Sequence, residues 1–201
     1  MKYLFGALLG LAALPVVALA QPVVEPTRDV VVTYHIIGDQ MGRPGGPKID
    51  TVTIGYSAGG NRTWIEPGGS SMRMIADKTA GRMFVIMLDR HMYMEMPYDP
   101  HKAMTFSAEN ARFSKTGTAT IAGISCTTYD VQSQRENDSA CLTGDGVLLK
   151  AVTKDPRHPH TLEATAVRYG AQPAAAFAPP DGFQKMDMAK MMGQQGRPPG
   201  G

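Results

Sequence analysis

The sequence predicts a mainly β domain of the α+β class, in which one antiparallel sheet is accompanied by one or two short helices. Three observations lead to this prediction. Short runs rich in β-branched and aromatic residues recur along the chain. Clusters of glycine, proline and asparagine separate the runs and can reverse the chain. Up to residue 96 no cluster is long enough for a crossover helix, so neighbouring strands should run antiparallel.

The first twenty residues are predicted to be a signal peptide and not part of the fold. Lys2 supplies a positive charge, an almost purely apolar stretch covers 4–17, and Ala18-Leu19-Ala20 matches the small-x-small cleavage pattern. The apolar stretch is short for a membrane span and contains Pro15. An uncleaved N-terminal anchor is the alternative. We therefore expect an exported protein of the periplasm, with no transmembrane segment in the mature chain.

Residues 21–184 are predicted to form a single domain, since a chain of this size can bury one core. The first half should contain six strands, at 30–37, 49–56, 62–66, 72–76, 83–88 and 92–96. A short helix should follow over 100–110, because Asp99 can cap a helix that has Pro100 at its first position.

Five further strands are predicted after the helix, at 117–121, 124–131, 139–143, 147–152 and 162–169. Gly144-Asp145-Gly146 should form a tight hairpin turn with positive φ at both central positions. A helical turn is expected at 173–177. Residues 185–201 are polar, uncapped and rich in glutamine, glycine and proline, which predicts a disordered C-terminal tail.

Charge and cysteine content narrow the classes of function. The 20 basic and 18 acidic residues are scattered along the chain and give a formal net charge of +2, so no nucleic-acid partner is expected. The sequence contains two cysteines, and in an exported protein this predicts a structural disulfide between Cys126 and Cys141. Closing a loop of about fifteen residues should stabilise the fold by roughly 3 kcal/mol.

Two stretches carry a family resemblance. Residues 121–131 and 141–150 resemble the pattern I-x-G-x-x-C-x-x-Y … C-x-T-x-D-G-V-x-L, which is typical of a domain family of unknown function in exported proteobacterial proteins. The upstream strands around Asn61-Arg62, 72–77 and 83–93 are similar to the N-terminal half of the same family. These proteins in turn resemble the outer-membrane lipoprotein carriers of the LolA and LolB type.

The resemblance implies a fold more firmly than an activity. In the carrier group a large antiparallel sheet curves into an incomplete barrel over one or two short helices and leaves a hydrophobic cavity. We therefore expect a LolA/LolB-like sheet over roughly residues 28–184. The partners and the gating arginine of true carriers have no recognisable counterpart in this sequence.

Methionine is the most unusual component of the sequence, and much of it alternates along predicted strands. Met72 and Met74 share one strand, Met83 and Met87 the next, and Met92, Met94 and Met96 the one after. A period of two places each set on one face of its strand. Such a face can line an adaptable apolar cavity for a lipid, or it can be an ordinary core filled by methionine. The candidate cavity residues are Met74, Met83, Phe84, Met87, Met94 and Phe106.

Copper(I) is an alternative ligand, because thioether sulfur beside His91 is a soft donor set. Alternate positions on one strand lie about 7 Å apart, so three sulfurs could share one ion only with help from a neighbouring strand. His158 and His160 flank a proline without a further ligand nearby, and His35 and His101 stand alone. We interpret these four as surface residues and predict neither a metal site nor a cofactor.

No pattern of catalytic residues is recognisable. Asp89, Glu95, Asp99 and Asp130 lack the paired spacing of acid and base catalysts, and no G-x-S-x-G, H-E-x-x-H or CxxC motif occurs. The sequence therefore predicts a monomeric, non-enzymatic periplasmic protein that binds a lipid, another hydrophobic ligand or a lipidated partner. The alternatives are a methionine-based copper(I) chaperone and an envelope module that engages another protein.

Overall fold

The computed structural model describes residues 21–38, 49–99, 111–132, 137–153 and 160–186. These residues form twelve strands. The strands are β1 (Val30–Gly38), β2 (Thr51–Tyr56), β3 (Arg62–Pro67), β4 (Met72–Asp77), β5 (Arg82–Met87), β6 (Met92–Pro97), β7 (Arg112–Ile121), β8 (Ile124–Gln132), β9 (Asn137–Leu142), β10 (Leu148–Thr153), β11 (His160–Tyr169) and β12 (Gln184–Lys185). Short 3-10 helices occur at Ala58–Gly60, Leu88–Arg90 and Ala174–Phe177.

All twelve strands belong to one sheet, in the order β12-β6-β5-β4-β3-β2-β1-β11-β10-β9-β8-β7. Most neighbours are joined by hairpins and run antiparallel, as predicted, whereas β12 joins β6 in parallel. The sheet is open, with β7 at one end and β12 at the other. The predicted fold class, a mainly β protein built on a curved antiparallel sheet that does not close, is confirmed.

The main core lies on one face of this sheet. Its buried members include Val32 and Tyr34 from β1, Ile54 from β2 and Leu149 from β10, together with both cysteines. Strands that are far apart in the sheet order thus contribute to one cluster, which requires the sheet to curve around it. Alternate residues of β1 are buried, the two-residue period that gives a strand one core-facing side.

A second cluster lies on the opposite face of β3 to β6. Trp64, Ile75, Phe84 and Ile86 form its floor, and Phe177 from the last 3-10 helix covers them. Phe183 packs against the same cluster, and its ring centroid lies 5.1 Å from that of His91. This half of the sheet is therefore enclosed on one side by the C-terminal segment.

Cys126 on β8 and Cys141 on β9 form the predicted disulfide, with 5.5 Å between their Cα atoms. The Gly144-Asp145-Gly146 turn differs from its prediction in one respect. Gly146 has a φ of +87°, but Asp145 does not have a positive φ. The side chain of Asp145 instead accepts hydrogen bonds from Thr143 and Arg28 that hold the turn. The predicted helix over 100–110 lies outside the described residues.

Candidate functional site

A regular array of methionine side chains covers one side of β4, β5 and β6. Residues paired directly across these strands project to the same side, so the register defines three rows of three positions. The rows are Met72, Met87 and Met92; Met74, Val85 and Met94; and Ala76, Met83 and Met96. Methionine thus occupies seven of the nine positions, and we call these seven residues the methionine face.

The two sides of the same three strands differ sharply in composition. On the side opposite the methionine face, the strands place Ile75, Phe84, Ile86 and Tyr93 against the second cluster. Those side chains are stiff and close-packed, as expected for a closed core. Methionine is flexible and unbranched, so the two sides of these strands differ in conformational adaptability as well as in composition.

The methionine face is neither fully buried nor fully exposed. Met83 is 7% exposed and Met72 is 40% exposed, while the other five lie between these two. Met74 packs against the edge of the main core, whose nearest member across the strands is Ile65. The face is therefore an extension of the core-lining side that stays partly open to solvent.

The structure separates the predicted cavity residues into three groups. Met74, Met83, Met87 and Met94 lie together on the methionine face. Phe84 does not join them, which corrects its assignment: it follows Met83 on the same strand, so its ring projects to the other side and packs in the second cluster. Phe106 lies outside the described residues.

The C-terminal strand extends the methionine face by one residue. Gln184 pairs with Met92 and Lys185 with Tyr93 in the parallel register, and the Met186 N–H donates to the Tyr93 carbonyl at 2.7 Å. This alternation places Met186 beside Met94, on the methionine side. Lys185 projects to the other side and forms an ion pair with Glu95 at 2.5 Å, which lowers the pKa of that carboxyl.

A half-buried amide, that of Gln172, links the outer side of β3 to the chain after β11, and no sequence pattern predicts it. Gln172 accepts a hydrogen bond from the Trp64 indole at 2.7 Å and donates to the Tyr56 carbonyl at 2.7 Å. The backbone N–H of Gln172 donates to Asp29 at 2.9 Å, and that of Ala58 donates to the same carboxylate at 2.7 Å. These two backbone hydrogen bonds lower the pKa of Asp29.

A second polar cluster fixes the turn between β9 and β10. Asp145 accepts hydrogen bonds from Arg28 at 2.7 Å, Thr143 at 2.5 Å and Tyr169 at 3.2 Å. Partial burial raises the pKa of the Asp145 carboxyl, but these hydrogen bonds outweigh it, and the pKa lies below its ordinary value. The cluster ties the N-terminal segment to the hairpin, which is a structural task.

Two tyrosines contribute to the main core, Tyr34 as a fully buried member and Tyr56 as a half-buried residue packed against it. The Tyr34 hydroxyl donates to the Leu148 carbonyl at 2.8 Å. Burial, followed by the influence of Tyr56, raises the pKa of Tyr34 well above its ordinary value, and burial raises the pKa of Tyr56 to about 12. Both hydroxyls therefore stay protonated at physiological pH and serve as hydrogen-bonding groups of the core.

A polar groove is a further surface feature of the described residues. An open groove of about 480 Å³ is lined by polar residues such as Asp29, Asn61 and Asp77. The Asp77 carboxylate accepts the Ala80 N–H at 2.9 Å and so stabilises a turn. Across the described ranges, no three His, Cys, Asp or Glu side chains are grouped as metal ligands. Nor does this part of the chain contain a helix with the length and apolar character needed to cross a membrane.

Comparison with known proteins adds a family and a fold. Residues 61–153 match the family described as Domain of unknown function (DUF4412), a span that includes β3 to β10, the methionine face and both cysteines. No curated protein is significantly similar in sequence.

Three solved structures are similar to this chain, and the first two, which reach a TM-score of 0.50, illustrate the fold. An uncharacterized conserved protein from Thermus thermophilus is 10% identical with a TM-score of 0.51, over 80% of this chain and 90% of that chain. MucB is 15% identical with a TM-score of 0.50, over 80% of this chain and 60% of its own, and has been solved in complex with MucA from Pseudomonas aeruginosa. A putative outer membrane lipoprotein-sorting protein domain from Vibrio parahaemolyticus is 10% identical with a TM-score of 0.39, over 77% of this chain and 91% of that chain.

At these identities the likeness shows the fold alone. The family match is more informative, because it covers the segment around Cys126 and Cys141 on which the sequence resemblance is based. The predicted resemblance to a domain family of unknown function is thereby confirmed: residues 61–153 match DUF4412, and strands on either side of the matched span belong to the same sheet.

Proposed function

We propose that this protein is a non-enzymatic binding module of the periplasm, and that its methionine face holds a hydrophobic ligand such as the acyl chain of a lipid or of a lipidated partner. The observation that carries the proposal is the contrast between the two sides of β4 to β6. The side closed by Phe177 uses isoleucine and aromatic residues, whereas the partly open side uses methionine at seven of nine positions.

Methionine suits such a surface for a physical reason. Its side chain has three rotatable bonds and a polarisable thioether, so it can repack around ligands of irregular shape. Isoleucine side chains are restricted at χ1, so a row of isoleucines would form a rigid surface that cannot adjust to the ligand. The six members of the face that are not buried give a ligand direct access to the surface.

The location outside the cytoplasm is supported by the disulfide. Both cysteines of the sequence are paired with each other, and structural disulfides persist in oxidising compartments. The absence of catalytic function is supported by the roles of Asp29 and Asp145, because the hydrogen bonds of both carboxylates hold segments of the fold together.

Lipid analysis tests the proposal directly. The protein is purified from the cell envelope, and the extracted lipids are identified by mass spectrometry, while a hydrophobic fluorophore measures binding to the emptied protein. We expect a lipid in stoichiometric amount and saturable fluorophore binding. Protein that carries no lipid and binds no fluorophore would contradict the proposal.

A charged substitution localises the site. Met72→Lys places an ammonium group on the methionine face at a position that is 40% exposed, so the fold should tolerate it. Fluorophore affinity should fall about tenfold, because an apolar ligand would have to strip water from the ammonium group. That desolvation costs more than about 1 kcal/mol of binding free energy. Ile37→Lys is the matched control, because Ile37 lies on β1 and is 51% exposed. Equal losses in both variants would place the site elsewhere.

A further inference from the structure

Binding of a hydrophobic ligand accounts for an apolar and adaptable methionine face, but it does not use the thioether sulfurs as ligand atoms. We propose that the row formed by Met72, Met87 and Met92 also binds a soft monovalent metal ion, of the copper(I) class, through three thioether sulfurs. This inference goes beyond the binding of a hydrophobic ligand and can fail independently of it.

The register supplies the geometry that one strand lacks. Along a strand, methionines on the same side are separated by about 7 Å, which is too far for several sulfurs to meet at one ion. Directly opposed residues on antiparallel strands have Cβ atoms only about 4.5–5.5 Å apart. Met87 is directly opposed to Met72 on one side and to Met92 on the other. Three sulfur-bearing side chains therefore stand next to one another on three adjacent strands.

Of the three rows of the methionine face, this one alone offers three adjacent sulfurs. In the middle row Val85 separates Met74 from Met94, and in the third row Ala76 takes the place of one methionine. Met74 and Met94 lie diagonally to Met87, at a distance within reach of long side chains. They could supply a further donor, but the row itself is sufficient for a three-coordinate site.

Access and ligand chemistry agree with the assignment. Met72 is 40% exposed and Met87 and Met92 are half-buried, so an ion can reach the sulfurs from solvent. Thioethers are soft donors that select copper(I) over the hard cations, which prefer oxygen. Both cysteines are consumed by the disulfide, which leaves methionine as the soft donor of this protein. Unlike a thiol, a thioether needs no deprotonation before it binds a metal.

The test uses the full mature protein and two ions. Copper(I) is titrated under anaerobic conditions against a chromophoric copper(I) chelator, and silver(I) serves as a probe of similar softness that does not change oxidation state. We expect the protein to remove one ion from the chelator. The ¹³C-methyl resonances of Met72, Met87 and Met92 should shift, and X-ray absorption should show a first shell of sulfur.

Met87→Leu removes the central sulfur but keeps an apolar side chain of similar volume. It should lower the affinity for both ions by about tenfold or more, because substitutions at metal sites typically reduce metal affinity by that factor. Met96→Leu is the matched control: it is the same substitution on the same face, in a row with only two sulfurs. Its affinity should stay within about twofold of the parent. Both variants make the same apolar replacement on the methionine face, so any change in fluorophore affinity should be equal in the two, whereas the loss of metal affinity should occur in Met87→Leu alone.

Three results would overturn the proposal. The chelator could keep all the copper, the first shell could consist of nitrogen or oxygen, or the two leucine variants could lose affinity equally. Circular dichroism and the fluorescence of Trp64 verify that each variant is folded, so a loss of binding cannot be mistaken for a loss of structure.

Discussion

Substituting Gly55 by alanine should destabilise the fold through a single steric conflict. Gly55 on β2 is directly paired with Trp64 on β3. A β-carbon at position 55 would lie 2.1 Å from the indole Nε1 of Trp64 and 2.6 Å from Oε1 of Gln172. Since non-bonded atoms come into contact at about 3.5 Å, the indole has to move by more than about 1 Å.

The size of the effect follows from two contributions. Overpacking a well-packed site costs about 1–3 kcal/mol. Displacing the indole also breaks its hydrogen bond to Gln172, which contributes about 0.5–1.5 kcal/mol. We therefore expect the free energy of unfolding to fall by about 3 kcal/mol, which corresponds to about 6–12 °C in Tm for a domain of this size.

The molecule provides its own probe, because Trp64 is the only tryptophan in the sequence. Urea denaturation followed by tryptophan fluorescence measures the stability and reports on the environment of the indole itself. Gly117→Ala is the control, since the nearest atom to its new β-carbon would be Thr128 Oγ1 at 3.3 Å. That substitution should change the stability by less than about 1 kcal/mol.

A stability of Gly55→Ala within about 0.5 kcal/mol of the parent protein would refute the reasoning. A second variant identifies the mechanism. If the conflict with the indole is the cause, Gly55→Ala should cost much less in a Trp64→Leu background, where far-ultraviolet circular dichroism replaces fluorescence as the probe. Equal costs in both backgrounds would point to a backbone effect instead.

Three further predictions concern the disulfide, the pH dependence and the core. Replacing Cys126 and Cys141 by alanine should lower the free energy of unfolding by about 3 kcal/mol in urea titrations, and an unchanged midpoint would contradict this. Because the pKa of Asp29 is lowered in the folded state, its contribution is present above the ordinary carboxyl pKa and lost as the pH falls below it. Stability measured from about pH 5 to pH 3 should therefore decline, and less steeply in Asp29→Asn. Tyr34→Phe leaves the Leu148 carbonyl without its donor and should cost about 1–3 kcal/mol in thermal unfolding, whereas an unchanged Tm would mean that water replaces the hydroxyl.

Local sequence patterns predicted most of the strands because hairpin-rich sheets are built from neighbouring segments. Alternation and turn residues located β1 to β6 and β8 to β11 within a few residues of their observed ends. The start of β7 was missed, since Arg112 and Lys115 give its first half a polar character. The two-residue β12 was missed as well, because it depends on tertiary pairing with β6 and has no local signal.

The candidate site was only partly predictable. Alternation along each strand put the methionines on one side of that strand, and the same period should have excluded Phe84 from the group. The alignment of Met72, Met87 and Met92 into a row depends on the register of two hairpins, which is set by the length and geometry of their turns. Gln172 could not have been found, because its partners lie more than a hundred residues away in the sequence.

The short strand β12 covers one edge of the sheet and thereby affects self-association of the protein. Unpaired N–H and C=O groups at the rim of a sheet are a template on which further chains can add. Here that rim would be the methionine-bearing β6, and the main-chain contacts of Gln184 and Met186 occupy it. At the far rim, the bulge between Lys115 and Gly117 in β7 interrupts regular pairing. Truncation before Gln184 would expose the apolar edge strand β6 to pairing with other chains, so β12 protects the sheet against aggregation.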